Sequence, residues 1–218
     1  MFLSVFDLFK IGVGPSSSHT MGPMVAAARF LDHLRAQPFS VAGLRASLHG
    51  SLAFTGLGHA TDRAVILGLA GFAPETYDAE RAEAELARIR SGKTVTPEGL
   101  GPLAFDPSRD LIFDYERPLP GHANGMILRG TDAQSDVVTE VTYYSIGGGF
   151  VLTEAELAAG RHVDDAPPVP FPFQSADEML RMADRSGRSI AAMKRANERA
   201  RAPRRDLDAG LRRVWGVM

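Results

Sequence analysis

Cysteine is missing from all 218 residues of the chain. Its absence excludes disulfides, thiolate nucleophiles and any thiolate-held metal or cluster within these residues. An excess of either charge is missing too. Lys and Arg number 24 against 26 Asp and Glu, a net charge of -2, so there is no electrostatic footprint for nucleic acid or an anionic membrane. No apolar run approaches the length that crosses a bilayer. The opening, MFLSVFDLFKIG, has no basic stretch before its apolar part and no A-x-A-like cleavage site. A signal peptide is therefore not expected, and the chain reads as cytoplasmic. The six histidines are scattered, with no i, i+4 pair, so a self-contained zinc site is not expected either. Nucleotide-binding G-x-G-x-x-G and G-x-x-x-x-G-K-[ST] patterns are absent, as is the G-x-S-x-G elbow of serine hydrolases. Paired carboxylates suited to glycoside cleavage cannot be singled out.

What is present is enough chain to bury a core, patterned in three stretches. Residues 20–36, TMGPMVAAARFLDHLRA, read as a helix with Pro23 tolerable in its first turn and Val25, Ala28, Leu31 and Leu34 facing inward. The alternation of Leu44, Ala46 and Leu48 predicts a half-buried strand running into Gly50. A second helix is expected to start at Thr61 or Asp62, both good caps, and a third to span DAERAEAELARIRSG, stopping at Gly92. From about 93 to 152 the period changes to two: DLIFDYE, GMILRGTD and DVVTEVTYYSI are strand-like, divided by turns. This pattern predicts an α/β fold, a mixed open sheet with covering helices, over residues 1–160. A Pro-rich linker at 161–173 follows. Residues 174–218 read as helical, with a capping box at SADE, a stop at Gly187 and a break at Pro203. The last helix carries an apolar stripe of Leu207, Leu211, Val214, Trp215 and Met218 that these short helices leave unfinished. The segment reads as the beginning of a helical domain whose remainder lies elsewhere, and the stripe favours some association, a homo-oligomer included.

Three clusters attract chemistry. Ser16, Ser17, Ser18, His19 and Thr20 stand at the mouth of the first helix, where unsatisfied N–H groups attract small anions. One hydroxyl would suffice as a cap, and four exceed that need; a cap-and-turn role and a ligand site both fit the residues. His59 lies on a Gly-rich turn ahead of the second helix, placed to serve as acid or base. His49, inside the strand, reads as structural. His122 and Asn124 project from LPGHANGM, which is otherwise an ordinary turn before a strand. The glycines at 147–149 permit either close backbone approach to a ligand or a plain bulge.

Taken in order, SVFDLFKIGVGPSSSHTMGPM, GSLAFTGLGHATD, LPGHANGM, YYSIGGGF, PFPFQSADEMLRMADRSGRSI, NERA and RRVWGVM resemble the bacterial single-chain iron–sulfur L-serine dehydratases, or L-serine ammonia-lyases. The resemblance covers essentially the whole chain. It implies a β domain over the first 160 or so residues and, from about 174, the start of a helical α domain whose cysteines hold a [4Fe–4S] cluster with one open iron. It further implies removal of an α-proton from L-serine and loss of its hydroxyl, assisted by that iron as Lewis acid. The enamine formed tautomerises to an imine, which hydrolyses to pyruvate and ammonia. Carried onto this sequence, Ser16, Ser17, Ser18 and the amides near Thr20 would hold the substrate carboxylate. His59 would be the α-proton base and His19 the acid for the leaving hydroxyl, with His122 and Asn124 orienting substrate or tuning the imidazoles.

Two departures stand out. Leu57 occupies a position where many relatives carry Lys, and the cysteines that would hold the cluster are absent. The resemblance therefore implies that a cluster-bearing α domain or separate subunit must complete the site, and that this chain alone is inactive. Two other readings of the same residues are a non-catalytic serine-sensing module and an interaction subunit that docks a cluster-bearing partner.

Overall fold

The computed structural model describes residues 3–160, 168–202 and 206–218. Most of the expected linker and the expected break at Pro203 lie outside the described residues. The chain divides into two compact units, Gly12–Ala159 and a second made of Met1–Ile11 with Gly160–Met218. Residues 3–11 thus group with the C-terminal helices rather than with the sheet.

The larger unit is mixed α/β. Its sheet has seven strands: β1 (Gly43–Gly50), the short β2 (Thr94–Val95) and β3 (Leu103–Ala104), β4 (Leu111–Asp114), β5 (Asn124–Thr131), β6 (Val137–Gly147) and β7 (Phe150–Thr153). The order is β2-β3-β1-β5-β6-β7, and β4 also pairs with β1. β1 runs parallel to β3 and β4 and antiparallel to β5, so the sheet is mixed and open. Leu44, Ala46 and Leu48 of β1 point into the core, as their alternation predicts. The run of left-handed glycines at 147–149 turns β6 back into β7, with a register shift between Ser145 and Gly147. These glycines serve the hairpin.

Helices α1 (Gly22–Arg35), α2 (Ser51–Thr55), α3 (Thr61–Leu69) and α4 (Ala79–Gly92) belong to this unit. The buried face of α1 is Met24, Ala27, Phe30, Leu31 and Leu34, while Val25 and Ala28 are only half-buried. The three-residue steps expected from Val25 drift off the 3.6-residue helical repeat, and the larger Met24 and Phe30 take the inward side. The helix also begins differently: a π-helical turn, Ser17–Met21, precedes it. At α3 the expected caps are not used. Ala60, with φ 53, occupies the cap position and has no polar side chain to cap with, while the Thr61 hydroxyl is engaged elsewhere.

In the smaller unit, helices α5 (Ala176–Ser186), α6 (Ile190–Arg201) and α7 (Leu207–Val217) follow the expected order. Ser175 caps α5 by accepting from the N–H of Glu178, but the Glu178 carboxylate reaches the N–H of Gln174, one residue before the reciprocal half of a capping box. Gly187 ends the helix in the left-handed conformation. Of the terminal stripe only Leu207 is buried; Leu211, Val214, Trp215 and Met218 line an apolar groove of about 530 Å³ with Val5 and Phe9. Among the described residues no helix is long and apolar enough to cross a membrane.

Helices α1 and α3 touch across Gly68, where an added Cβ would stand 2.6 Å from the Met24 carbonyl oxygen and 2.7 Å from Ala27 Cβ. Gly→Ala inside a helix ordinarily stabilises by about 1 kcal/mol. Here the backbone contact decides the sign, and Gly68→Ala is expected to destabilise by roughly 1–3 kcal/mol through overpacking. Equilibrium denaturation checks it; a midpoint at or above wild type would contradict the packing described.

Candidate functional site

The site is assembled where three chain segments meet at the end of β1. Strand β1 stops at Gly50, with φ 56, where a Cβ would lie 2.4 Å from the Ala123 carbonyl oxygen. Only glycine fits both the conformation and the approach. Ser51 follows as the first residue of α2, and its N–H donates to that same carbonyl at 2.8 Å. The register pairs Gly50 with Asn124, so the start of β5 is held beside the end of β1. The third segment is the turn Ser17–Met21 ahead of α1.

Two buried threonines lock the turn Ser17–Met21 to the loop that leads into α3. Thr20 Oγ1 donates to the His59 carbonyl at 2.8 Å, and Thr61 Oγ1 donates to the His19 carbonyl at 2.5 Å. Pro23, four residues beyond His19, has no N–H to return to that carbonyl, which leaves it open to the hydroxyl. The side chains of His19 and His59 consequently lie side by side, ring centroids 4.8 Å apart and the planes tilted by 36°.

Each imidazole is held by a different set of partners. His19 Nδ1 lies 2.9 Å from Ser18 Oγ, and its Nε2 lies 2.9 Å from Ser51 Oγ. His59 Nδ1 lies 2.9 Å from the Thr55 carbonyl. A carbonyl only accepts, so His59 carries hydrogen on Nδ1 and its neutral form keeps a lone pair on Nε2. His122 is the opposite case: its Nδ1 accepts from the Asn124 N–H at 3.1 Å, which places the hydrogen of the neutral ring on Nε2. Burial pushes the pKa of His19 below its ordinary 6.5, and the neighbouring His59 pushes it further down. Both causes favour the neutral form of His19.

The hydroxyls divide their work. Ser16 Oγ caps the turn by accepting the His19 N–H at 3.1 Å, and stands 3.4 Å from Ser18 Oγ. Ser18 is spent on the His19 ring. Thr20, 3% exposed, is spent on tying the two loops and on accepting the Ser16 N–H. Ser17 is exposed, and its hydroxyl has no protein partner among the described residues. Asn124 Nδ2 donates to the Ser145 carbonyl at 3.0 Å. Ser145 Oγ, packed against Gly22, is the one buried side-chain polar atom without a partner among the described residues. His49 bonds Ser47 Oγ and the Arg117 carbonyl within the sheet, a structural arrangement. Leu57 and Phe54 are both 68% exposed beside the His59 loop, and the Phe54 ring meets Tyr115 at a steep tilt, centroids 5.4 Å apart.

Among the candidates read from the sequence, His19 and His59 are thus in direct contact. His122 and Asn124 sit on the loop that abuts Ser51, with His122 bonded to its own loop. Ser51 and Thr61 were not singled out by the sequence. A hydroxyl directly after the His-Gly that ends a strand was the available signal for Ser51; Thr61 had none beyond its capping propensity.

The chain is 45% identical over 220 residues to an L-serine dehydratase of Streptomyces coelicolor, covering 100% of this chain and 48% of that protein. It is 40% identical over 219 residues to L-serine dehydratase TdcG of Escherichia coli K12, covering 99% and 47%. It is 41% identical over 197 residues to an L-serine dehydratase of Helicobacter pylori, covering 90% and 43%. The chain spans about half the length of these relatives. The family model described as serine dehydratase beta chain matches residues 4–156, well over half the chain, and the chain belongs to that family.

Proposed function

We propose that this chain supplies the substrate-binding and proton-transfer half of an L-serine ammonia-lyase, which converts L-serine to pyruvate and ammonia. The observation that carries the reading is the contact between His19 and His59: burial favours the neutral form of one ring, and the Thr55 carbonyl holds the hydrogen of the other on Nδ1, leaving a lone pair on Nε2 of the neutral ring. In this reading His59 Nε2 takes the α-proton of L-serine. A double bond forms between the α and β carbons as the C–O bond breaks, and a proton delivered along the His19 side lets the hydroxyl leave as water. The 2-aminoacrylate so formed tautomerises and hydrolyses. A proton reaching His19 is weakly held, which favours passing it on. Ser17 and the N–H groups of the first turn bind the carboxylate, with Ser16 and Ser18 shaping that turn. His122 offers its Nε2–H to the substrate, and Asn124 fixes the loop that carries it.

The residues present do not fit an iron–sulfur cluster. There is no cysteine, and among the described residues no group of three His, Asp or Glu side chains is placed to hold a metal ion. We assign its ligands to the part of the relatives that this chain does not span, or to a separate subunit, working in the cytoplasm. The exposed Phe54, Leu57 and Tyr115 form the surface such a part would cover.

A sensing module that binds L-serine without turning it over is the second reading, favoured by one observation: both nitrogens of His19 already have protein hydroxyl partners. The two readings separate when the cluster-bearing helical part is supplied under anaerobic conditions. Pyruvate release from L-serine is expected, and His59→Ala should reduce it about 100-fold or more, the usual range for a lost acid–base group. Near-normal turnover in both His59→Ala and His19→Ala would sink the assignment. No release at all, with L-serine binding to this chain seen by calorimetry, would support sensing.

The protonation states are testable without turnover. The NMR titration midpoint of His19 should fall below 6.5, and His59→Gln should move it up without restoring it, because burial is the larger cause. The unfolded chain takes up that proton near 6.5 and the folded chain only at lower pH. The contribution to stability is therefore intact above that value and lost as pH falls toward the folded one. A midpoint at or above 6.5 would remove the argument for a neutral His19.

A further inference from the structure

Ser51 has no role in the reading above, yet it touches both the His19 ring and the loop of His122. We propose that Ser51 is a positioning residue for His19: it holds the ring in the tautomer with hydrogen on Nε2, and turns its own hydroxyl hydrogen toward a bound acceptor oxygen of a small hydroxy-amino acid.

The assignment follows from counting donors along one chain of contacts, Ser16–Ser18–His19–Ser51. Ser16 Oγ already accepts the His19 N–H at 3.1 Å, so its hydrogen is the group left to donate. The neighbouring acceptor is Ser18 Oγ at 3.4 Å. The hydrogen of Ser18 then points to His19 Nδ1, 2.9 Å away, and that nitrogen must accept. A neutral imidazole that accepts at Nδ1 donates at Nε2, and Ser51 Oγ stands 2.9 Å from Nε2. The reverse order puts two donors on Ser16 Oγ and leaves the hydrogen of Ser16 without a partner inside the turn. In the forward order the free end is the hydroxyl hydrogen of Ser51. Its backbone is fixed by the Ala123 carbonyl and by the left-handed Gly50, so that end has little freedom to wander. The consequence for chemistry is a matched pair: a lone pair on His59 Nε2 and a hydroxyl donor on Ser51, the two groups flanking the His19 ring.

The identity of the ligand rests on the proposed function; the tautomer does not, because it belongs to the free protein. The experiment is long-range ¹H–¹⁵N correlation of the histidine rings in the full chain, at a pH where His19 is neutral. Wild type should show His19 as the Nε2–H form. Ser51→Ala should shift the tautomer ratio toward Nδ1–H by about fivefold, the size of one ordinary hydrogen bond, and Ser51→Thr should restore it. A wild-type His19 in the Nδ1–H form overturns the proposal without any variant, and so does a ratio unchanged in a folded Ser51→Ala. Neither outcome depends on a cluster or on turnover, so the proposal can fail while the lyase reading stands.

Discussion

The arrangement depends on two hydrogen bonds that cross between loops. Thr20 and Thr61 are 3% and 0% exposed, and each donates to the backbone carbonyl of the histidine on the other's segment. Pulling the loops apart would leave two hydroxyls and two carbonyls unpaired in a buried place, at roughly 1–3 kcal/mol for each group stranded. Contact between two imidazoles gains little by comparison and becomes repulsive as soon as both carry protons. The spacing of the rings is thus imposed by the backbone, and the depressed basicity of His19 follows from its burial first and from that imposed spacing second.

This division of labour explains which parts of the site could be read from the sequence. The four hydroxyls and His19 were visible as an excess over what one cap needs, and His59 as an imidazole on a glycine-rich turn. Their contact across forty residues was not, because it is written in Thr20, Pro23 and Thr61, each with an ordinary local explanation. Thr61 is a good capping residue by intrinsic preference. The tertiary acceptor at His19 outcompetes the cap, and Ala60 is left to start the helix in a left-handed conformation. Nor could spacing reveal that Ser16, Ser18 and Thr20 hydrogen-bond within the protein while Ser17 faces out.

The fold was legible to a similar depth. Alternation in β1, β5 and β6 and the shift from helical to strand period at about residue 93 carried the architecture, since one buried sheet face imposes period two. The two-residue strands β2 and β3 are too short to show any period. In α1 Leu31 and Leu34 face inward as expected but Val25 and Ala28 are only half-buried, because small alanines count as apolar at almost every position and Ala27, beside Gly68, turns inward instead.

Departures from local preference gather around the same junction. Among the described residues three other than glycine have positive φ, but Lys93 ends a helix and Ser135 sits in the turn between β5 and β6, places where a left-handed residue is common. Ala60 instead precedes a helix, where an extended residue is usual, and the conformation costs roughly 1–2 kcal/mol. The π-helical turn that carries His19 and the unpaired hydroxyl of Ser145 lie in the adjoining segments. What the strained segments share is the placing of His19, His59 and the loop of His122 within reach of one another. Local strain concentrated at one junction of an otherwise consistent fold is what a site selected for geometry rather than for stability looks like.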